Sequence, residues 1–377
     1  MRKSGFIALC AAFAVFLSLT SCGDMPWTRY RIKGTITDSS GNGVAGVTVT
    51  AGSKSAVTGD DGKYSIEGLK DEAYTVIPSK AGLAFTPASR TIMVDDQDIS
   101  GVDFSVVWNP LSSGASGDLE GVAYGNSIYV AAGTGGSVLT SADGTTWTAA
   151  TSGITSNLRD IVYGTGFVAV GSAGVIFTSA DGSSWGLYAS GVASDLKGIT
   201  YANGIYVVVG DGGVILVSTD GTAWGLYTSG VASALNGIVY GTSYVAVGDG
   251  GVILTSPDGT VWTAASSGTT ENLKGVIHGG GMYVATGSKG SILTSPDGFS
   301  WTARTADATV DIEDVGYGNG AFVAVGADGT LLVSRDGGVT WTSQATGTTQ
   351  NLLGVDYLNN IFFVTGAGGT VLTSSAP

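Results

Sequence analysis

The chain has 377 residues and a formal net charge of -14, and 43% of its residues are hydrophobic while 12% are charged. The hydrophobic share excludes an intrinsically disordered chain, and the acidic charge excludes nucleic acid as a partner because a phosphate backbone would be repelled. The length suits one large domain and one small domain.

The N-terminus predicts export and a lipid anchor. Two basic residues precede an apolar run over residues 6–17, and a Leu-Thr-Ser-Cys motif ending at Cys22 follows it. This arrangement resembles the signal peptide of bacterial lipoproteins and implies a leader over residues 1–21, with Cys22 as the lipidated first residue of a tether over 22–28. The alternatives are an ordinary cleaved signal or a short membrane helix, although the apolar run is too short to span a bilayer comfortably.

The anchor predicts an extracytoplasmic location. Gly23, after the cysteine, differs from the aspartate that retains enterobacterial lipoproteins in the inner membrane, so we expect the outer membrane or the cell surface. Cys10 would leave with the leader, and the one remaining cysteine then has no partner for a disulfide within the chain.

A small β-sandwich is predicted over residues 29–107. Short apolar–polar alternations are separated by turn residues, and two motifs stand in register: Gly-Val-x-Val from Gly46 and Asp-Gly-x-Tyr-x-Ile from Asp61. The order of elements resembles the carboxypeptidase regulatory-like family, and this resemblance implies a transthyretin-like spacer or interaction module without catalysis. The turn at residues 60–62 could be read as a calcium loop, but an ordinary turn is preferred because no further ligand pattern follows.

From Trp108 onward one sequence unit recurs. Each copy reads Leu-x-Gly, aromatic-Val-x-x-Gly, Gly-x-Ile/Val-Leu-Thr-Ser and then Asp-Gly-x-x-Trp, and no helical period occurs. The tryptophans follow one another at intervals of 38 to 40 residues, the length of a four-stranded propeller blade. They are Trp108, Trp147, Trp185, Trp224, Trp262, Trp301 and Trp341. The prediction is therefore an all-β fold.

The copies count to seven only if the chain closes on itself. Seven strand starts run from Leu119 to Leu352, but Trp108 precedes the first start, and the last copy stops before its own Asp-Gly-x-x-Trp element. We therefore predict a seven-bladed β-propeller over residues 108–377, in which the strand after Trp108 completes the blade opened at Leu352. Val107 runs into Trp108 without a flexible linker, so we expect the two domains to be stiffly coupled.

The Ser-x-Asp-Gly-x-x-Trp elements resemble the Asp-boxes of sialidases and related propellers. The copy from Ser334 to Trp341 has the full length, and the others are one residue shorter. The resemblance disfavours catalysis by their aspartates, because in that family the box lies opposite the active site. We expect the carboxylates to accept backbone N–H bonds within the turn. These structural aspartates are Asp143, Asp181, Asp220, Asp258, Asp297 and Asp336.

The whole repeat over residues 108–377, with its Leu-x-Gly-Val and Tyr-Val-Ala-Val-Gly blocks, looks more like the seven-bladed photosystem II stability and assembly factor propellers. That resemblance implies a non-enzymatic protein that holds a membrane-protein client. The chain departs from those relatives in being strongly acidic and in lacking an arginine-rich patch across its blades.

The candidate binding face is the one opposite the Asp-boxes, where the connections between blades and the hairpins between second and third strands lie together. Two columns at the strand starts vary from copy to copy. The residues assigned to this face are Asp118, Glu120, Arg159, Asp195, Lys197, Asn236, Lys274, Asp311 and Glu313. The acidic loops of the sixth blade could bind a cation, but solvated loops are the preferred interpretation.

A catalytic set is not evident in the sequence. A sialidase-like site needs three converging arginines, whereas the propeller has only Arg159, Arg304 and Arg335, the last of them inside an Asp-box. His278, the only histidine, stands where the other copies have tyrosine, and no Cys/His metal set exists.

We therefore expect no enzyme activity, no cofactor and no metal. The preferred function is a monomeric, lipid-anchored scaffold that holds a protein client or a polysaccharide of the envelope and meets the membrane only through its lipid. The alternative is a glycan-binding or glycan-cleaving, sialidase-like surface propeller, which the paired carboxylates Asp311 and Glu313 and the tyrosines Tyr188 and Tyr227 would serve.

Overall fold

The computed structural model describes residues 29–38, 41–80, 83–306 and 308–375. The predicted leader, Cys22 and the tether lie outside these residues. No helix within the described ranges is long and apolar enough to cross a bilayer. The regular structure is strand with short 3₁₀ turns, as the all-β prediction requires.

The N-terminal unit is a sandwich of eight strands in two sheets. Its strands are β1 (Tyr30–Thr37), β2 (Thr48–Ala51), β3 (Lys54–Val57), β4 (Lys63–Leu69), β5 (Ala73–Ser79), β6 (Ala84–Thr86), β7 (Arg90–Met93) and β8 (Phe104–Val107). One sheet has the order β4-β1-β8-β6, and the other has the order β3-β2-β5-β7. Alternate residues such as Val49, Ile66 and Val76 are fully buried in the core, and burial of each such side chain is worth about 1.5–3 kcal/mol.

The turn at residues 60–62 has the geometry of an ordinary Asx turn. The Asp61 carboxylate accepts a hydrogen bond from the Lys63 N–H at 3.1 Å and pairs with the Lys63 ammonium at 2.9 Å. These bonds hold the pKa of Asp61 below its usual value.

Seven four-stranded antiparallel sheets follow, numbered here as blades 1 to 7. Blades 1 to 3 are β10 (Leu119–Gly125), β11 (Ile128–Gly133), β12 (Val138–Ser141) and β13 (Thr148–Ala150); β14 (Leu158–Tyr163), β15 (Phe167–Gly171), β16 (Val175–Ser179) and β17 (Gly186–Ala189); and β18 (Leu196–Ala202), β19 (Ile205–Gly210), β20 (Val214–Ser218) and β21 (Gly225–Thr228).

Blades 4 to 7 repeat the same order. They are β22 (Leu235–Tyr240), β23 (Tyr244–Gly248), β24 (Val252–Ser256) and β25 (Thr263–Ser266); β26 (Leu273–Gly279), β27 (Met282–Gly287), β28 (Ile292–Ser295) and β29 (Thr302–Arg304); β30 (Ile312–Gly318), β31 (Ala321–Gly326), β32 (Leu331–Ser334) and β33 (Thr342–Ser343); and β34 (Leu352–Leu358), β35 (Ile361–Gly366) and β36 (Thr370–Ser374) with β9 (Asn109–Ser112). Short 3₁₀ turns join the second and third strands, at Thr134–Gly136, Ser172–Gly174, Asp211–Gly213, Asp249–Gly251, Ser288–Gly290, Ala327–Gly329 and Ala367–Gly369.

Blade 7 is completed by β9, which confirms the predicted closure. Strand β9 pairs antiparallel with β36 and places Leu111 opposite Val371. Trp108, immediately before β9, is 4% exposed and packs edge-to-face against Phe362, with the ring centroids 6.4 Å apart. The pairing covers the edge that blade 7 would otherwise expose.

The first strands of the blades contact one another in cyclic order, and β10 contacts β34 to close the ring. Each blade-to-blade boundary has its own apolar cluster, with buried residues from both blades. Between blades 1 and 2, for example, Val130 packs with Leu158 and Phe167. The core of the propeller is therefore a set of seven apolar interfaces between neighbouring blades, which we call seams. They surround the central channel of the ring.

The sandwich meets the propeller at the turn before Trp341. Arg335 Nη2 lies 3.1 Å from Asp38 Oδ2, and the Asp38 side chain is only 5% exposed. The same carboxylate accepts hydrogen bonds from the backbone and side chain of Asn42. The domains thus meet at the blade-6 turn between the third and fourth strands.

Candidate functional site

Every blade carries a β-bulge at the second residue of its first strand. The pairing of first and second strands skips that residue in all seven blades. A bulge leaves its extra residue out of the ladder and re-aims its side chain. The skipped residues are Glu120, Arg159, Lys197, Asn236, Lys274, Glu313 and Leu353.

These seven bulge residues meet around the central channel, in a ring that we call the mouth. All of them line one cavity of about 460 Å³, a volume within the range of ligand pockets. Six belong to the face assigned from the sequence, and Leu353 stands in the same variable column although it was not among the residues assigned to the face. The bulge explains why these seven side chains reach the opening of the channel, because a residue outside the strand ladder can turn its side chain in a new direction.

Two cations of the mouth each pair with a carboxylate. Arg159 Nη1 lies 3.3 Å from Glu120 Oε1, and Lys197 Nζ lies 2.7 Å from Asp211 Oδ1. Lys197 Nζ also donates to Asn236 Oδ1 at 3.1 Å. Burial raises the pKa of Glu120, and the nearby Arg159 opposes that rise. The charge on Glu120 therefore depends on its ion pair.

The third cation, Lys274, has two carboxylate partners. Its Nζ lies 2.7 Å from Glu313 Oε1 and 2.9 Å from Asp311 Oδ2. Burial alone would lower the pKa of Lys274, but the two carboxylates raise it above its usual value. The ammonium group has three N–H donors, so a binding partner can accept from the one that the two carboxylates leave, or replace one of them.

Asp118, Asp195 and Asp311, also assigned to the face, make a structural contact that we call the interblade latch. In six blades an Asp or Asn before the first strand accepts a hydrogen bond from the middle N–H of the preceding blade's 3₁₀ turn, at 2.8 to 3.1 Å. The acceptors and donors are Asp118 and Gly368, Asn157 and Gly135, Asp195 and Ala173, Asn272 and Gly250, Asp311 and Lys289, and Asn351 and Asp328. The Asp/Asn preference of this column was the sequence signal for the latch.

Blade 4 has Ala234 at the latch position, where the side chain offers no acceptor to the Gly212 N–H. We expect Ala234→Asn to supply the seventh latch and to raise the propeller's free energy of unfolding by about 0.5–1.5 kcal/mol. Asn157→Ala, which removes an existing latch, should lower it by a similar amount. Urea unfolding followed by circular dichroism measures both changes.

Ala234→Val is the matched control, because it adds bulk at the same position without an acceptor. If Ala234→Asn and Ala234→Val shift the unfolding midpoint equally, the latch does not explain the effect.

The turns between third and fourth strands lie on the opposite face, because antiparallel strands alternate direction through each blade. Asp143 Oδ1 accepts hydrogen bonds from the N–H groups of Thr145 and Thr146, both at 2.8 Å, and Ser141 Oγ accepts one from Gly144 at 2.9 Å. The backbone bonds hold the Asp143 pKa well below its usual range. Equivalent bonds are made by Asp181, Asp220, Asp258, Asp297 and Asp336.

Three more aspartates, which we call the throat, lie on the first strands beyond the mouth. Asp160 and Asp314 stand in the column where the other blades have glycine, and Asp356 lies two positions further along its strand. Each carboxylate accepts a backbone N–H from the next blade: Asp160 from Ile199 at 2.8 Å, Asp314 from Val355 at 2.9 Å and Asp356 from Val122 at 3.4 Å. Sequence reasoning missed the throat, although an aspartate in a glycine column was visible.

The throat carboxyl groups hold protons unusually strongly. Burial raises the pKa of Asp160 and Asp314 to about 7 and raises that of Asp356 well above its usual range, against the lowering effect of the backbone N–H bonds. Repulsion between carboxylates adds to the rise in pKa: Asp314 and Glu120 act on Asp160, Glu313 acts on Asp314, and the other two throat residues act on Asp356. Near neutral pH the throat therefore contains both protonated and ionised carboxyl groups.

Stability should fall as the pH rises from about 5 to 8. Asp160 and Asp314 titrate near 7 in the folded chain, against an ordinary value of 3.8, so the folded state binds more protons in this interval and ionisation destabilises it. Asp160→Asn keeps an acceptor for the Ile199 N–H but cannot ionise. We expect this variant to lose about 1–2 kcal/mol less free energy of unfolding over the same pH interval than the unchanged chain, a figure reduced to allow for screening by water in the channel. Urea unfolding at several pH values measures the slope.

Asp60→Asn, an exposed substitution in the sandwich, is the control for loss of one charge. If the pH profiles of Asp160→Asn and the unchanged chain run parallel, the throat carboxyl does not titrate in this interval.

The three propeller arginines do not converge on one site. Arg159 lies in the mouth, Arg304 Nε donates to Thr294 Oγ1 at 2.8 Å, and Arg335 pairs with Asp38. The arrangement offers no three-arginine grip for a ligand carboxylate.

The other residues weighed for chemistry lie away from the mouth. His278 packs against Tyr283 with ring centroids 4.4 Å apart and faces Gly241 of the preceding blade, and burial lowers its pKa. Tyr188 and Tyr227 lie on β17 and β21, the outermost strands of blades 2 and 3, and are 39% and 38% exposed. They belong to the outer rim of the propeller.

Two parts of the chain match known domain families. Residues 31–107 match the carboxypeptidase regulatory-like domain, and residues 256–377 match the DUF6242 beta propeller domain. The first match confirms the resemblance expected for the sandwich. No curated protein matches the chain.

Solved propellers share the fold at low sequence identity. A structure of YCF48 bound to D1 peptide has a TM-score of 0.60 and 19% identity, with 71% of this chain and 94% of that chain covered. YCF48 from Cyanidioschyzon merolae has a TM-score of 0.60 and 18% identity, with 71% and 98% covered. A catalytically inactive virginiamycin B lyase from Staphylococcus aureus with quinupristin has a TM-score of 0.59 and 11% identity, with 71% and 98% covered. This set contains a lyase, so the fold alone does not decide the activity. The chain is thus an all-β protein in which a β-sandwich that matches the carboxypeptidase regulatory-like domain precedes a β-propeller similar in fold to YCF48.

Proposed function

We propose that the protein is a non-enzymatic, lipid-anchored scaffold whose mouth holds a segment of a protein client in the bacterial envelope. The observation that carries this proposal is the ring of bulge residues. One backbone frame presents seven side chains of differing chemistry to a single open cavity. A ring of this kind can recognise an irregular partner, because each blade contributes a different contact.

The pairing of charges in the mouth suits a polypeptide partner. Arg159 and Lys274 are each held by carboxylates, so their ion pairs can open and re-form around charged or polar groups of a bound segment. Leu353 adds an apolar contact on the same ring. These ion pairs are partly exposed, so little free energy is lost to desolvation when a charged group of the client takes the place of one of the two paired side chains. Such an exchange contributes more to specificity than to affinity.

The comparison with solved structures also supports a polypeptide partner. YCF48 has the same fold, and one of its structures is bound to D1 peptide. A propeller of this shape can therefore carry a peptide, and we extend that use to the present chain. The glycan alternative rests on Tyr188 and Tyr227, which lie on the rim away from the mouth, and on Asp311 and Glu313, which both pair with Lys274.

The test is selection of random linear peptides displayed on phage against the full mature chain. We expect clones that bind the unchanged chain at least tenfold more tightly than the mouth variant Lys197→Ala/Lys274→Ala/Glu313→Ala, because this variant removes three contacts of the ring. The matched control is Lys54→Ala/Lys70→Ala/Glu67→Ala in the sandwich, which changes the same number of charges and should bind like the unchanged chain. The proposal fails if no selected clone depends on the mouth, and saturable binding of envelope polysaccharide would then favour the glycan alternative.

The anchor is tested separately in the native host. We expect Cys22→Ala to move the protein from the membrane fraction to the soluble fraction and to abolish labelling by radioactive palmitate, because the thiol is the site of lipid attachment. Cys10→Ala changes a residue of the leader and should leave both properties intact. Equal fractionation of the two variants would remove the anchor from the proposal.

A further inference from the structure

The throat lies where a segment seated on the mouth would project side chains into the channel. Asp160 and Asp314 line the same cavity as the mouth residues. Among the residues that the structure describes, the ion pairs do not include any of the three throat aspartates. The mouth cations pair instead with carboxylates at or near the ring, as described above. The throat is therefore an acidic surface inside the channel that the chain's own cations leave uncompensated.

A second observation concerns Thr286 on β27. Its side chain is fully buried, and its hydroxyl oxygen has no hydrogen-bond partner. A Cβ placed on Gly275 would lie 2.9 Å from Asp314 Oδ1 and 3.0 Å from Thr286 Oγ1, so the hydroxyl and the carboxylate face one point beside the channel strand. A buried hydroxyl without a partner costs about 1–3 kcal/mol, and this cost is recovered if a ligand in the throat donates to it or accepts from it.

The chemistry of these groups defines the ligand. Three carboxyl groups and a hydroxyl offer hydrogen-bond acceptors and negative charge, which match a group with several N–H donors and a positive charge. No cluster of three metal-ligating side chains occurs in the described part of the chain, so the acidic groups are too dispersed for a metal ion. A lysine carries three donors on a flexible four-carbon stem, and an arginine carries five donors on a planar fork. Either side chain is long enough to extend beyond the mouth while its own backbone stays on the ring.

We propose that the throat receives one basic side chain, a lysine or an arginine, of the client segment held at the mouth. This inference rests on the proposed function and names the chemistry of the partner. The bound cation sits among the acceptors of Asp160 and Asp314, the throat residues that line the cavity, and the Thr286 hydroxyl beside Asp314 supplies a further acceptor.

The experiment repeats the phage selection on the throat variant Asp160→Asn/Asp314→Asn. Asparagine keeps an acceptor for the N–H groups of Ile199 and Val355, so the ring contacts persist while the charge is lost. The control Asp60→Asn/Asp95→Asn removes two exposed carboxylates from the sandwich and gives the same net charge. Selections are run at about 0.15 M ionic strength, where long-range attraction to an acidic protein is largely screened.

We expect mouth-dependent clones from the unchanged chain and from the control to share a lysine or arginine at one position, and clones from the throat variant to lack it. One selected peptide, capped at both ends, is then synthesised with its basic residue replaced by norleucine. The replacement should weaken binding to the unchanged chain at least tenfold and binding to the throat variant less than twofold.

The outcomes separate the two proposals. Mouth-dependent peptides that bind equally well with norleucine overturn the throat proposal and leave the scaffold function standing. A selection without any mouth-dependent peptide overturns the scaffold function, and the throat proposal falls with it.

Discussion

Each blade completes its backbone ladder internally, so the ring depends on contacts that side chains make from one blade to the next. Apolar seams provide the bulk of these contacts. Polar contacts fix their alignment, as where Asn157 accepts from the Gly135 N–H and Asp160 accepts from the Ile199 N–H. Both bonds satisfy backbone donors that a free-standing blade would leave to water. In the latch column six of the seven blades accordingly carry Asp or Asn, and Ala234 of blade 4 is the exception.

This constraint separates structural from adaptable positions within the face assigned from the sequence. Asp118 and Asp195 belong to the latch column, where only Asp and Asn can accept the turn N–H. The bulge column stands two residues further along the chain, and it has no such role because the strand ladder skips it. It therefore tolerates residues as different as Lys197 and Leu353. Asp311 has a role in the latch and a role at the mouth, since one of its oxygens accepts the latch hydrogen bond and the other pairs with Lys274.

Most of the fold could be predicted because it is periodic. The strand order, the blade length and the closing strand all follow from repeats in which each copy confirms the others. The bulges could not be read from the sequence, because a ladder that skips one residue leaves the apolar alternation almost unchanged. The throat was hidden for another reason: Asp160, Asp314 and Asp356 become neighbours only when the ring has closed. The contact between Asp38 and Arg335 likewise joins two domains whose sequences give no sign of it.

The closing strand β9 is also the segment that continues directly from the sandwich. During synthesis the sandwich emerges first and can fold as a unit while the rest of the chain is still being made. Strand β9 then remains unpaired next to the folded sandwich until β36, the last strand of the propeller, has been made and pairs with it. Until this pairing forms, blade 7 carries an open edge. The ring is therefore closed by its two most distant strands in sequence, and neither of them completes blade 7 without the other.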